Sequence, residues 1–286
     1  KGQLGHNDIV ARSSPTQVGA LTNWAKVAMA SGNNFTAAIK TDGTLWTWGD
    51  NFRGNLGTNE NVSVERSSPV QVGTDTDWAY IAAGRACLAI KTDGTLWAWG
   101  ANDSGVLGLS LPAALTGARS SPIQVGALSN WKAVNTGTAT TAVKTDGTLW
   151  AWGSGNEGAT GINTVYARSS PVQVGALTTW DKIAQGKQNG NGAIKTNGTL
   201  WVWGRNYTGH LGIGNTINKS SPVQLGSDTG WTQASLSTDG SGGIRNSGLY
   251  MWGPNASGEL GTNNTINTSS PVQVRADLTW SYVRAG

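Results

Sequence analysis

The chain has 286 residues, 41 of them glycine, and only 13% of its residues are charged, against about 25% in an average domain. Its formal net charge of +4 includes no run of lysine or arginine and gives little support for binding to nucleic acid or to an anionic membrane. The single cysteine, Cys87, excludes an internal disulfide framework and a cysteine-built zinc site, and no apolar run approaches the ~20 residues needed to span a bilayer.

A ten-residue phrase recurs along the chain and sets the length of its repeat. The phrase is Lys-Thr-Asp-Gly-Thr-Leu-Trp-x-Trp-Gly, found first at residues 40–49 and again at 91–100 and 144–153. It returns with Asn for Asp at 195–204, and a degraded copy lies at 245–253. The second tryptophan of these copies falls at 48, 99, 152, 203 and 252, so the repeat is about 51 residues long.

Two further phrases keep the same period. Ser-Ser-Pro-x-Gln-Val, or the same with a final Leu, begins at residues 13, 67, 120, 169, 220 and 269. Gly-x-Leu-Gly begins at residues 2, 54, 105, 209 and 258, with an altered copy at 158–161. Three phrases in one constant order indicate that the whole chain is an array of one structural unit.

All fifteen tryptophans occupy just two kinds of repeat position. Because none falls outside the repeat, we interpret these side chains as packing elements rather than as platforms for a ligand. Six of them open a repeat, namely Trp24, Trp78, Trp131, Trp180, Trp231 and Trp280. The other nine belong to the Trp-x-Trp phrase and are predicted to be structural: Trp46, Trp48, Trp97, Trp99, Trp150, Trp152, Trp201, Trp203 and Trp252.

The repeat that opens at Trp78 illustrates the predicted elements in chain order. Two short apolar strands come first, and Asp93-Gly94 then forms a hairpin turn in which glycine supplies the positive φ. A third strand carries the Trp-x-Trp phrase, and an irregular Asn-x-x-Gly-x-Leu-Gly turn follows it. The Ser-Ser-Pro phrase forms the last extended piece, where proline favours the edge of a sheet. The predicted strands are 79–83, 87–91, 96–99 and 120–125.

The Trp-x-Trp phrase predicts sheets that are buried on both faces. Alternate residues of a strand face opposite sides, so Trp46 and Trp48 share one face while Thr47 lies on the other. Large groups on one face and small groups on the other allow neighbouring sheets to interlock. Several strands in each unit of about 50 residues, with no helical periodicity, predict an all-β fold of propeller blades.

These phrases resemble the RCC1 repeat family, in its bacterial and viral style, over essentially the whole chain. The resemblance implies a β-propeller of RCC1-like blades, with five complete repeats and two partial ends in a six- or seven-bladed ring. The best known activity of that family is guanine nucleotide exchange on a small GTPase, combined with chromatin binding. Related propellers sense light, inhibit β-lactamases or lie on bacterial and viral surfaces.

We expect one domain over residues 1–286, because the repeat runs from end to end. Joined together, its two partial ends lack about 19 residues compared with the copy at 85–103. We expect a longer natural chain or a neighbouring subunit to supply them. The expected repeats are approximately 24–77, 78–130, 131–179, 180–230 and 231–279, with partial repeats at 1–23 and 280–286.

Signals of catalysis are poor. His6 and His210 occupy unrelated repeat positions, and His210 is predicted to be a solvent-exposed filler at the variable place of Gly-x-Leu-Gly. Cys87 lies in an apolar strand and is predicted to be a small buried hydrophobe. The recurring aspartates lack the further carboxylates that calcium prefers and are predicted to stabilise turns: Asp42, Asp93 and Asp146. We therefore predict no catalytic residue, no metal and no cofactor.

Two basic series and one long loop are the candidate binding features. In a propeller, equivalent cations would form a ring that attracts an acidic partner. The alternative is that each cation pairs with a carboxylate or a turn carbonyl of its own repeat. The longest loop, 109–118, is a candidate contact surface through Leu109, Leu111 and Leu115, or else an ordinary insertion. The series before the Ser-Ser-Pro phrase is Arg12, Arg66, Arg119, Arg168 and Lys219, and that before the hairpin is Lys40, Lys91, Lys144, Lys195 and Arg245.

The leading hypothesis is a non-enzymatic protein-binding or structural scaffold on a virion or cell surface, because low charge accompanies strands rich in Thr, Asn and Gly. The alternative is an intracellular protein-binding regulator of the RCC1 type, with exchange-factor-like roles. In either case we expect a protein partner or self-assembly, with no strong nucleic-acid signal. A location outside the cytoplasm is favoured over a cytoplasmic one.

Overall fold

The computed structural model describes residues 1–20, 22–30, 33–60, 64–110, 117–186 and 189–284. The chain divides into two compact units, residues 1–136 and residues 137–286. Within the described residues the regular structure is β-strand, apart from single-turn 3-10 helices such as Asp103–Gly105 and Asn156–Gly158. No helix among these residues is long and apolar enough to cross a bilayer.

The first unit contains two complete four-stranded antiparallel sheets, each with its strands in chain order. A ninth strand packs against β5 and β6 of the second sheet. The first sheet comprises β1 (Trp24–Met29), β2 (Phe35–Lys40), β3 (Leu45–Gly49) and β4 (Arg66–Gln71). The second comprises β5 (Trp78–Ala83), β6 (Ala86–Lys91), β7 (Leu96–Gly100) and β8 (Arg119–Gln124), and β9 is Trp131–Thr136.

The second unit repeats this pattern. Its strands pair with their sequence neighbours, and a short parallel pairing of β13 with β17 joins its last two four-stranded sheets. The strands are β10 (Ala139–Lys144), β11 (Leu149–Gly153), β12 (Arg168–Gln173), β13 (Trp180–Gly186), β14 (Gly190–Lys195), β15 (Leu200–Gly204), β16 (Lys219–Gln224), β17 (Trp231–Leu236), β18 (Ser241–Arg245), β19 (Gly248–Gly253) and β20 (Thr268–Val274). The strands predicted for the repeat at Trp78 are confirmed to within a residue or two.

The hairpin between the second and third strands forms for the predicted reason. Gly43 has a φ of 78°, and a Cβ added there would meet the Thr76 carbonyl oxygen at 2.0 Å, so only glycine fits. The Asp42 carboxylate accepts hydrogen bonds from the Thr44 hydroxyl at 2.7 Å and the Thr44 amide at 3.0 Å. These bonds lower the pKa of Asp42 and confirm that this aspartate stabilises a turn.

The strand that carries the Ser-Ser-Pro phrase is the outermost strand of its sheet, as its proline predicts. Pro69 lies in β4 and Pro122 lies in β8, and each of these strands pairs on one side only. The inner strands are buried on both faces. In β3 the Thr47 side chain is fully buried and donates to the Leu56 carbonyl at 2.6 Å, while Trp48 is buried on the opposite face.

Candidate functional site

The second tryptophan of the Trp-x-Trp phrase ties one repeat to the repeat before it. Trp99 is completely buried, and its indole nitrogen donates to the carbonyl of Asn55 at 3.0 Å. A Cβ added to Gly57 would lie 2.6 Å from that nitrogen, so the indole packs directly on glycine. The indoles of three other repeats donate in the same way, in the pairs Trp48 with Gln3, Trp203 with Ala159 and Trp252 with His210.

The first tryptophan of the phrase makes a local contact instead. The indole of Trp97 is half-buried and donates to the hydroxyl of Thr95, two residues earlier, at 3.0 Å. It also meets the edge of Trp78, with ring centroids 6.1 Å apart. Every tryptophan is buried or half-buried, as packing side chains would be. The nine of the phrase follow one pattern, with Trp46, Trp97, Trp150 and Trp201 half-buried and Trp48, Trp99, Trp152, Trp203 and Trp252 buried.

The cations that precede the hairpin lie on these aromatic clusters. The ammonium of Lys40 is 3.6 Å from the ring centroid of Trp46, and that of Lys195 is 3.6 Å from the ring of Trp201. Lys144 lies over Trp150 at 3.8 Å. Cation–π contacts of this kind stabilise by about 0.5–2 kcal/mol each. This basic series therefore faces tryptophan within its own repeat.

The basic series that precedes the Ser-Ser-Pro phrase contacts acceptors close in sequence. Arg12 pairs with Asp8 at 2.6 Å, and Arg66 pairs with Glu60. Arg119 donates to the carbonyls of Gly117 and Ala118, Arg168 donates to that of Ala167, and Lys219 is half-buried. These contacts are those of the alternative interpretation, in which each cation serves its own repeat, and attraction of an acidic partner stays a prediction.

The long loop at 109–118 is only partly described. Leu109 is half-buried, and the next described neighbour, Ser110, is exposed with a φ of 52°. The predicted contact residues Leu111 and Leu115 lie outside the described residues. The role of this loop as a contact surface remains a prediction.

The segments that lead into the outermost strands carry exposed apolar side chains that the repeat phrases did not predict. We call these segments, 6–11, 58–65, 109–118, 162–167, 213–218 and 262–267, the edge loops, and residues 61–63 and 111–116 of them lie outside the described part of the chain. Two residues before the end strand, or before Arg12 in the first copy, most edge loops carry an exposed apolar side chain. The exposed fractions are 55% for Val10, 36% for Val64, 72% for Tyr166, 63% for Ile217 and 71% for Ile266. Aligning the copies on the Ser-Ser-Pro phrase would have revealed this position.

A local turn fixes the backbone of at least three of the exposed apolar residues. The amide of Ile217 donates to the side chain of Asn215 at 3.0 Å, and that of Ile266 donates to Asn264 at 2.9 Å. In the first copy the amide of Val10 donates to Asp8 at 3.0 Å. This is the Asx turn that Asn and Asp side chains form with the amide two residues on. The apolar side chain therefore projects from an ordered turn.

A buried asparagine anchors each of the last two edge loops from within. The Asn255 amide group donates to the carbonyls of Asn264 at 2.8 Å and Ile266 at 3.2 Å, and its oxygen accepts from Leu260 at 2.9 Å. Asn206 makes the corresponding contacts with the preceding edge loop. Both asparagines are completely buried. These two edge loops are thus held to the rest of their repeats by several hydrogen bonds.

Among the described residues, four of the edge loops also donate a backbone hydrogen bond to the outermost strand of the next repeat. The amide of Asn163 donates to the carbonyl of Ser220 at 2.7 Å, and that of Gly214 donates to Ser269 at 2.7 Å. In the first unit the amide of Asn59 donates to Ser120, also at 2.7 Å. Within each unit these bonds connect the edge loops into one supported series.

The structure corrects the prediction for His210, which is buried and not a solvent-exposed filler. Only 1% of the residue is exposed, its Nδ1 lies 3.0 Å from the hydroxyl of Thr208, and its Nε2 is buried without a hydrogen-bond partner. Burial lowers the pKa of His210. Strand β14 packs against the His210 ring: a Cβ added to Gly190 in that strand would lie 3.5 Å from it.

Cys87 is buried, as predicted, and its burial raises the pKa of the thiol well above the ordinary value. A buried thiol that stays protonated is a poor nucleophile. Within the described part of the chain, no three His, Cys, Asp or Glu side chains converge as a metal site would require.

The fold and its packing define a class: an all-β repeat protein whose four-stranded sheets are the blades of a propeller. The family model for the Regulator of chromosome condensation (RCC1) repeat matches residues 42–90, 93–143, 197–242 and 246–286, and a second model for the same repeat matches 27–55. These segments cover more than half of the chain. The chain belongs to the RCC1 repeat family, which confirms the resemblance found in its sequence.

Curated relatives share up to about a third of the aligned residues. The Ultraviolet-B receptor UVR8 of Arabidopsis thaliana is 30% identical over 78% of this chain and 63% of that protein. The probable E3 ubiquitin-protein ligase HERC3 of Homo sapiens is 29% identical over 73% of this chain. The chain spans 63% of the length of UVR8 and only 20% of that of HERC3.

Solved structures share the fold at low sequence identity. Prp20p from Saccharomyces cerevisiae, described with its binding to Gsp1p and histones, aligns with a TM-score of 0.74 at 20% identity, over 85% of this chain and 61% of that chain. Human WBSCR16 aligns with a TM-score of 0.73 at 18% identity, over 88% of this chain and 67% of that chain. These likenesses confirm the all-β blade architecture.

Proposed function

We propose that this chain is a non-catalytic protein-binding module and that its edge loops are the contact surface. The observation that carries the proposal is the exposed apolar residue recurring in Val10, Val64, Tyr166, Ile217 and Ile266. These recurring side chains give each unit apolar surface that a partner can bury on binding.

The order of the edge loops supports the proposal energetically. Binding costs free energy when loops must become fixed, and a pre-formed turn reduces that cost. The turns at Ile217 and Ile266 are fixed by side-chain bonds to their own amides and by the buried Asn206 and Asn255. A partner would therefore meet apolar side chains on a backbone that is already ordered.

The neighbouring cations add a second property to this surface. Arg168 lies two residues after Tyr166, and Lys219 lies two residues after Ile217. Charges at the border of an apolar contact accelerate association and restrict the choice of partner more than they increase affinity. We infer an acidic border on the partner's surface.

The relatives favour the regulatory role over display on a surface. Their names describe a light receptor, ubiquitin-protein ligases and, in the case of RUG3 of Arabidopsis thaliana, a mitochondrial RCC1 domain-containing protein. None of these descriptions supports the virion or cell-surface location favoured by composition. We therefore adopt the alternative hypothesis, a protein-binding regulator inside the cell. An exchange-factor-like role rests on family resemblance alone and forms no part of the proposal.

The test removes the apolar side chains of the second unit together, in a combined Tyr166→Ser, Ile217→Ser and Ile266→Ser variant. The matched control places three serines at exposed apolar sites outside the edge loops, at Leu177, Tyr207 and Val272, which are 49%, 57% and 41% exposed. The parent chain, the edge-loop variant and the control variant are each used for affinity capture from a lysate of the source cells. Quantitative mass spectrometry then identifies the proteins that both the parent chain and the control variant capture.

We expect the edge-loop variant to capture none of these partners. Each purified partner should bind the edge-loop variant at least about tenfold more weakly than it binds the parent chain, because the interface has lost its apolar anchors. Partners captured equally by both variants would contradict the proposal. Replacing Arg168 and Lys219 by glutamine should mainly slow association and reduce its dependence on salt.

A further inference from the structure

The cation before the hairpin meets a carboxylate in some repeats. The ammonium of Lys91 lies 2.8 Å from Asp75 and 3.2 Å from Asp77, both on the segment just before β5. Burial lowers the pKa of Lys91, and the two carboxylates more than offset this, so that its pKa is raised. In the last complete repeat, Arg245 pairs with Asp228 in the same manner.

The first repeat has the cation without the acid. Lys40 is only 7% exposed, and among the described residues no carboxylate lies within ion-pair distance of its ammonium. At the place of Asp77 this repeat has Asn23, whose side-chain oxygen is buried with no hydrogen-bond partner. The Lys40 ammonium instead lies 3.6 Å from the ring of Trp46, whereas the Lys91 ammonium stays 4.9 Å from the ring of Trp97.

A cleft of about 350 Å³ opens beside Lys40. Its walls are mostly apolar, formed by Val18, Trp24, Trp46 and Pro69, and Lys40 supplies the buried charge. The polar members of the lining are His6, Asn7 and Ser68. The corresponding cleft of the last complete repeat, about 470 Å³, is lined by both Arg245 and Asp228 and so already holds a carboxylate. The Lys40 cleft therefore combines an unpaired cation with space and aromatic walls.

We propose that the Lys40 cleft binds a small organic carboxylate that has an apolar, preferably aromatic, body. The carboxylate pairs with the Lys40 ammonium, as Asp75 and Asp77 pair with that of Lys91, and the body packs against Trp24 and Trp46. The volume lies in the range of small-ligand pockets, which are mostly apolar with a few placed polar groups.

Other ligand classes fit this cleft less well. A cationic ligand would be repelled by Lys40 at close range. A phosphate carries more charge than one buried ammonium neutralises, and apolar walls cannot replace its hydration. A neutral aromatic molecule would add to the ring contacts that Lys40 already makes with Trp24 and Trp46 and would leave its charge without an ionic partner.

The experiment titrates the full chain with phenylacetate, using phenylacetamide as the neutral isostere and phenethylamine as the cationic one. Isothermal titration calorimetry or ligand-observed NMR measures the affinity. We expect phenylacetate to bind and both analogues to bind at least about tenfold more weakly, because a hydrogen bond to a charged group is stronger than one between neutral groups. Equal binding of phenylacetate and phenylacetamide would overturn the assignment.

Two variants locate the binding site. Lys40→Met removes the charge and is expected to weaken phenylacetate binding at least about tenfold, whereas the matched Lys91→Met, whose cation already has carboxylates, should leave it unchanged. Asn23→Asp keeps Lys40 and introduces an internal carboxylate at the place of Asp77. The Asn23→Asp variant should bind phenylacetate more weakly and have a higher thermal unfolding midpoint than the parent chain. If Lys40→Met fails to fold, the Asn23→Asp variant alone tests the location of the site.

The remaining outcomes overturn the proposal. Unchanged phenylacetate affinity in the Asn23→Asp variant would place the ligand elsewhere. Binding of the peptide N-acetyl-aspartyl-phenylalaninamide with no binding of phenylacetate would show that the cleft receives a peptide side chain and not a small acid.

Discussion

The contribution of Trp99 to the packing between repeats can be measured by Trp99→Phe. A phenyl ring has no N–H to donate to the Asn55 carbonyl, which in the parent chain accepts from the indole nitrogen at 3.0 Å, and leaving a buried acceptor unpaired costs about 1–3 kcal/mol. The smaller side chain also leaves roughly 40 Å³ empty, which at about 24 cal/mol per Å³ adds about 1 kcal/mol. We expect the free energy of unfolding to fall by about 2–4 kcal/mol.

Trp97→Phe is the matched control, because Trp97 lies on the same face of the same strand. Its indole donates to the hydroxyl of Thr95, and both residues are half-buried, so water can replace the bond. The expected loss is about 1 kcal/mol or less. Equilibrium unfolding in urea, followed by near-ultraviolet circular dichroism, gives both values. A Trp97→Phe variant as destabilised as Trp99→Phe would refute the assignment of the second tryptophan as the main contact between repeats.

Three further changes test other parts of the structure. Gly212→Ala should lower the free energy of unfolding by well over 1 kcal/mol, because the residue has a φ of 74° and the added Cβ would lie 2.8 Å from Trp252. Gly226→Ala, with a φ of 60° and an uncrowded Cβ, should lower it by only about 1 kcal/mol. The shift of the thermal unfolding midpoint of each variant measures the difference. Asn255→Ala removes the internal anchor of an edge loop and should increase amide hydrogen exchange across 262–267, with little change elsewhere. Burial lowers the pKa of His210 in the folded state below the ordinary value of 6.5, so its contribution to stability is present above that pH and is lost as the pH falls through it. His210→Asn should therefore reduce the loss of stability between about pH 7.5 and pH 5, measured as the urea midpoint.

A specific result would contradict each of these three predictions. Equal costs for the two glycine substitutions would mean that backbone strain, and not contact with the indole, decides the first of them. Unaltered exchange in the edge loop would show that the Asx turn alone orders it. A pH profile of His210→Asn parallel to that of the parent chain would exclude the buried histidine as its source.

The strand pattern was predictable from local sequence because its causes are local. The turn at Asp42-Gly43 depends on a side chain that bonds its own backbone and on a glycine with positive φ. The alternation of Trp46, Thr47 and Trp48 depends only on strand geometry. Neither requires knowledge of any other repeat.

The burial of His210 was not predictable in this way. Its repeat position is exposed in two copies, where Gln3 and Glu259 occupy it, and buried in the copies with Asn55 and His210. The motif is the same in all of these copies, so the motif alone does not predict the exposure of its variable residue. The exposure depends on which side chain is present and on how the surrounding strands pack against it.

The repeat, the strands and the turns could be predicted from the sequence, since all three follow from periodicity and short-range chemistry. Which polar and charged groups find partners depends on tertiary contacts. Lys91 meets two carboxylates and Lys40 meets none among the described residues, although both close the same strand of the same motif. The carboxylates that pair with Lys91 lie on a separate segment, just before β5, which folding brings next to the cation. The sequence of that segment differs between repeats while the motif that carries the cation stays the same.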